Sequence, residues 1–99
     1  MEAALMNYLI ILNSNYLDHF DQVHKTIEDY DHTIRVNQNT WLINTKYDAV
    51  IIRQHLANVM SMHDSLLIFQ VNEKFSIANQ LDVSDWLEDM QQSHWLTPA

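Results

Sequence analysis

The stretch His32-Thr33-Ile34-Arg35-Val36-Asn37-Gln38-Asn39-Thr40-Trp41-Leu42-Ile43-Asn44-Thr45 decides the fold. Two strand-like runs, Thr33 to Val36 and Thr40 to Ile43, flank an Asn-rich centre, and in a chain with no glycine asparagine is the residue left to make tight turns. Read as one strand bent or bulged at Asn37-Gln38-Asn39, the segment gives the order strand, helix, strand, helix, strand, strand, short helix. Read as two strands joined by a turn at those residues, it gives βαββαβ plus a C-terminal strand or short helix, the order of a ferredoxin-like plait. The length of the segment and its Asn-rich centre favour the second reading. The expected fold is therefore α+β, with helices on one face of a mainly antiparallel sheet.

Upstream, Asn7 to Leu12 is dense in Tyr, Leu and Ile and stops at Asn13-Ser14-Asn15, the pattern of a mostly buried strand followed by a turn. Leu17, Phe20, Val23, Ile27 and Tyr30 then recur at three- and four-residue steps behind a capping pair, Asn15 and Asp18, which predicts an amphipathic helix. Downstream, Thr45 and Asp48 have capping-box spacing and Ala49, Ile52, Leu56 and Val59 share a face, predicting a second helix over 46–60. His63-Asp64 falls in a turn, Ser65 to Val71 reads as a buried strand, and Lys74 to Ala78 alternates around Phe75 and Ile77 as if paired back across Asn72-Glu73. Asp82, Asp85, Trp86 and Leu87 suggest a short acidic helix. Residues 1–6 read as a loose leader, 7–90 as one domain and 91–99 as a tail.

At 99 residues and 11.7 kDa the chain has the size of one domain. Lys+Arg 5 against Asp+Glu 13 gives a formal charge of −8, which repels nucleic-acid backbones and anionic lipid and excludes a basic nucleic-acid glove. The absence of cysteine removes disulfides, thiol nucleophiles and thiolate metal sites and fits a reducing, cytoplasmic setting. The absence of glycine excludes phosphate-cradling Gly-rich loops, and with them P-loop enzymes, kinases and Rossmann dehydrogenases. The acidic start at Met1-Glu2 and the short apolar run Tyr8 to Leu12 match neither a signal peptide nor a membrane span.

Tyr8-Leu9-Ile10-Ile11, Thr40-Trp41-Leu42-Ile43-Asn44-Thr45 and Asp64-Ser65-Leu66-Leu67-Ile68-Phe69 resemble the pattern of small ferredoxin-like proteins of the SinR-like type, distant relatives of the small CRISPR-associated endonuclease subunit of adaptation. The resemblance spans most of Asn7 to Trp86 through core positions. It implies a ferredoxin-like domain that pairs in a homodimer, a place in a mobile-element or defence system, and, in nuclease members, a carboxylate ending the first strand that helps bind a divalent cation. This chain carries Asn13 there, followed by Ser14 and Asn15. A neutral amide lacks the charge that offsets dehydration of Mg²⁺, so metal-dependent cleavage is not the expected activity, and Mg²⁺ enters only under the nuclease alternative.

The remaining candidates each have a structural and a chemical reading. His63-Asp64 could orient a catalytic water; the simpler role is a turn in which Asp64 binds neighbouring backbone amides. His19 and His24 are five residues apart and sit on different helix faces, whereas Asp21, His24 and Glu28 share one side, as a solvated face would. No GxSxG element is present, so acyl transfer has no foothold. Trp41 and Trp86 belong to the core or to a dimer interface; base stacking would need cations, and Arg35, Lys46 and Arg53 form at most a local stripe. The carboxylates gather in two groups, Asp18, Asp21, Glu28, Asp29 and Asp31, and Asp82, Asp85, Glu88 and Asp89. They form a solubilising surface or a negative one that docks on a basic protein in the manner of a nucleic-acid mimic. The sequence thus points to a non-catalytic dimeric interaction module without a cofactor, its partners being a second copy or a basic protein rather than nucleic acid or membrane, with an acidic inhibitor and a metal-dependent nuclease as alternatives.

Overall fold

Alternation along the first strand sets up the whole molecule. In β1 (Met6–Asn13) Tyr8, Ile10 and Leu12 are buried on one side of the sheet while Leu9 and Ile11 point to the other. The computed structural model describes residues 5–13, 17–71, 78 and 80–95, with the side chains of 17–20 and 91–95 outside that description. β1 lies between β3 (Thr40–Thr45) and β4 (Ser65–Val71), and β2 (His32–Asn37) pairs with the far side of β3. The sheet order is β2-β3-β1-β4 and every neighbouring pair is antiparallel. The segment that decided the reading is thus a hairpin, turning at Gln38 and Asn39 with a register shift between Arg35 and Asn37. The described residues form a small α+β structure with a four-stranded antiparallel sheet and three helices, consistent with a ferredoxin-like α+β fold.

α1 (Leu17–Glu28) and α2 (Ala49–Ala57) cover one face. Val23 and Ile27 of α1 and Ile52 and Leu56 of α2 are four residues apart in each helix and join Tyr8, Ile10, Leu12, Trp41 and Ile43 in the main core. α2 is shorter than the expected span of 46–60, and its N-cap is Asp48, whose carboxylate accepts from the Ile51 amide at 2.9 Å. Thr45 cannot open the helix, because it is still a buried β3 residue opposite Met6; its hydroxyl accepts from the Tyr47 amide at 3.3 Å.

The expectation of helices on one face is corrected by α3 (Leu81–Trp95), which lies on the opposite face. Val83 and Leu87 pack on Leu42, with Leu9, Ile34, Val36, Val71 and Trp86 around them. The physical reason is visible in the central strands: Leu9-Ile10-Ile11-Leu12 and Trp41-Leu42-Ile43 are continuous apolar runs, so both faces carry side chains that need cover. Met6 pairs with Thr45 at the start of the sheet, and α3 runs to Trp95. The second strand expected over Lys74 to Ala78 falls almost wholly within 72–77, outside the described residues, as do most of the turn after β1 and the capping residue Asn15. Among the described residues no helix is long and apolar enough to cross a membrane.

Candidate functional site

Sheet register brings the three weak catalytic candidates to one end of the molecule. Asn13 ends β1 and pairs with Ser65, the first residue of β4, so His63 and Asp64 stand in the adjoining turn. Asp64 closes that turn on itself: its Oδ2 accepts from the Ser61 amide at 2.9 Å, its own amide donates to the Ser61 carbonyl at 3.1 Å, and the His63 amide donates to the Ser61 hydroxyl at 3.0 Å. The Asn13 amide oxygen accepts from Asn39 Nδ2 at 3.2 Å, and the Leu12 amide donates to the Asn39 carbonyl at 2.9 Å, so this end of β1 is tied to the β2–β3 turn. A neutral amide already hydrogen-bonded, one carboxylate with its Oδ2 committed to a turn, and one histidine are a poor donor set for a hard divalent cation. Among the described residues no three His, Cys, Asp or Glu side chains converge as a cation site. The residues do not fit the metal centre that the nuclease resemblance implies.

The carboxylates divide between two layers. Asp21, Glu28, Asp29 and Asp31 are exposed on or just after α1, while Asp82, Asp85, Glu88 and Asp89 form the exposed side of α3 across the sheet; the Asp18 side chain lies outside the described residues. Glu28 is ion-paired with His24 one turn earlier on α1. Of the expected cationic stripe, Arg35 lies 5.2 Å from the Trp41 ring centroid and donates to the carbonyls of Asn37 and Gln38 at 3.1 and 2.6 Å. Lys46 lies 5.8 Å from the Tyr47 ring centroid. Trp41 itself is fully buried under Arg35 and the His24 ring, a core position; Trp86 is half-buried beside Leu42 and Leu87.

An aromatic cluster that sequence reading missed sits at the opposite end of β3. Tyr30, just beyond α1, shares a 2.8 Å hydrogen bond between its hydroxyl and Nδ1 of His55 on α2, and Tyr47 meets both rings edge-on at 6.4 and 5.2 Å. These side chains line a cavity of about 600 Å³ with Asp29, Asp31 and Lys46. Burial, followed by the neighbouring Tyr47, pushes the Tyr30 hydroxyl up to about 12. Because the folded-state value is raised, the native state holds this proton more tightly than the unfolded chain does. The corresponding stability is complete below the ordinary tyrosine pKa of about 10 and is lost as pH rises toward 12. Thermal melts from pH 9 to 12 are expected to show this alkaline loss in the wild type and less of it in Tyr30→Phe. The signal available in the sequence was Tyr30 continuing the α1 stripe beyond the helix end; nothing there paired it with His55.

Two exposed apolar side chains stand side by side on β4. Leu67 and Phe69 are 49% and 52% exposed, directly opposite the half-buried Ile11 and Leu9 of β1 and therefore on the same face of the sheet as α3. α3 packs toward β2 and β3 and leaves this part of the face open. Compared with known proteins, the chain matches no family model, no curated protein and no solved structure.

Proposed function

We propose that this protein is a non-catalytic interaction module of ferredoxin-like architecture that works by binding protein through the open half of its sheet. The observation that carries this reading is the pair Leu67 and Phe69, both about half exposed on a strand without a single charged residue. Contiguous apolar surface of this kind is what protein partners cover, since removing it from water favours association by roughly 25 cal/mol per Å² before the costs of ordering are met. The strand order β2-β3-β1-β4 supports the ferredoxin-like reading: α1 links β1 to β2 across the intervening β3, and α2 links β3 to β4 across β1. The SinR-like resemblance, a cytoplasmic location and a role in a mobile-element or defence system belong to the same proposal. The separation of the carboxylates onto two layers favours a solubilising role for them over a single nucleic-acid-like strip.

A photocrosslinking phenylalanine analogue at position 69 of the full chain in its native cells tests the reading. Covalent products heavier than the protomer are expected from position 69, and far fewer from the same probe at Lys25 on the exposed side of α1. Equal yields at the two positions, or none at 69, overturn the proposal. So would Mg²⁺- or Mn²⁺-dependent cleavage of nucleic acid that His63→Ala or Asp64→Ala abolishes.

A further inference from the structure

We infer that the cavity beside Tyr30, Tyr47 and His55 is a binding site for a primary alkylammonium group. The inference goes beyond the interaction-module reading and does not draw on β4.

Two short connections carry the site, and hydrogen bonds fix both. Between α1 and β2 the Asp29 and Tyr30 amides donate to the carbonyls of Lys25 and Ile27 at 3.0 and 3.2 Å, and the Thr33 hydroxyl donates to the Tyr30 carbonyl at 3.1 Å. Between β3 and α2 the Tyr47 amide donates to the Thr45 hydroxyl at 3.3 Å, and Asp48 caps the helix. Asp29, Tyr30 and Asp31 of the first connection and Lys46 and Tyr47 of the second line one cavity of about 600 Å³, a volume typical of small-molecule sites. A ligand entering it has little backbone left to order.

The donors and acceptors of the lining select the ligand. The Thr26 hydroxyl donates to the Gln22 carbonyl at 2.9 Å, Asn44 Nδ2 donates to Asn7 Oδ1 at 2.8 Å, and the hydrogen bond between the Tyr30 hydroxyl and His55 Nδ1 uses a donor of that pair. These donors already serve the protein itself, whereas the Asp29 and Asp31 carboxylates are exposed at the cavity. Such a lining calls for a ligand that donates hydrogen bonds and carries positive charge. The formal charge of −8 on the chain acts in the same direction, drawing cations and repelling phosphates and carboxylates.

The rings give the cation its second contact. Tyr47, 41% exposed, stands nearly perpendicular to Tyr30 and His55, at interplanar angles of 79° and 84°. The Lys46 ammonium lies over the Tyr47 ring, 5.8 Å from its centroid, so this face already takes an alkylammonium from the chain itself. The separation is near the outer limit of about 6 Å for such contacts, and the Lys46 side chain is exposed, so an incoming ammonium can displace it. Lys46 is both a stand-in for the ligand and its competitor.

Titration of the isotope-labelled full chain with 1,4-diaminobutane, followed by amide NMR shifts in about 150 mM salt to screen scattered surface carboxylates, tests the inference. Saturable shifts are expected at Asp29 to His32, Asn44 to Tyr47 and His55, with a dissociation constant on the order of 1 to 10 mM, and none with the uncharged 1,4-butanediol. Asp31→Asn and Tyr47→Leu are each expected to weaken binding at least about 3-fold. Lys46→Met is expected to tighten it about 3-fold by removing the competitor, while Lys25→Met, which removes the same charge outside the lining, leaves it unchanged. Asp31, Lys46 and Lys25 are exposed, so these three variants are expected to melt with the wild type. No saturation up to about 50 mM overturns the inference, as do an equal response to the diol, shifts confined to the acidic sides of α1 and α3, or a Lys46→Met variant that binds no tighter than Lys25→Met. With the inference upheld, N-acetyl-lysine amide identifies the source: tighter binding than the diamine assigns the ammonium to a lysine of a protein partner, and weaker binding assigns it to a free amine.

Discussion

Replacing Trp41 with alanine is expected to lower stability by about 3–5 kcal/mol, a large part of what a domain of this size has to lose. Trp41 is the largest fully buried side chain among the described residues, the second residue of β3, facing Ile10 of β1 across one ladder and Arg35 of β2 across the other. His24 of α1 lies against its ring at a centroid distance of 5.6 Å. Removing the indole therefore opens a cavity where two strand pairings and a helix meet. The fall in melting temperature by circular dichroism should exceed about 12 °C, at roughly 4–8 °C per kcal/mol for a chain of this length. A shift under about 5 °C would show that Trp41 is not the centre of the core.

The second large effect is local. Leu87→Ala is expected to cost about 2–4 kcal/mol and to release α3 while the rest of the protein stays folded. Among the described residues the small core beneath α3 has three buried members, Leu42, Val83 and Leu87, whereas the main core on the other face has nine. Truncating Leu87 thus removes much of what holds a 15-residue helix to the sheet and leaves the contacts of α1 and α2 intact. Amide exchange is the measurement: α3 amides should lose protection while those of β1 and β3 keep theirs. Uniform loss of protection throughout the sheet would instead mean that both faces unfold as one unit.

Sequence alone was sufficient for most of the described elements. Ala49, Ile52 and Leu56 lie on one side of α2, with Val59 just beyond its end against the same core, because a 3.6-residue period can satisfy only one buried stripe, and the hairpin at Asn37-Gln38-Asn39 was legible because turn chemistry is local. The turn role of Asp64 was equally local, since its partner Ser61 is three residues away. Asn13 was singled out for its place at the end of the first strand, and its partner, Asn39, lies 26 residues on.

Everything that depended on which surfaces meet was decided by the tertiary structure. The pairing of Tyr30 with His55, the packing of His24 against Trp41, and the placing of α3 on the second face join residues far apart in the chain, and neither propensity nor period encodes such distances. The run Ser65 to Val71 illustrates the division. Its composition announced a buried strand, but among the described strands the order β2-β3-β1-β4 places it outermost. Hydrophobicity in a sequence states that a side chain needs cover; only the assembled sheet shows that Leu67 and Phe69 do not find it among the described residues of their own chain.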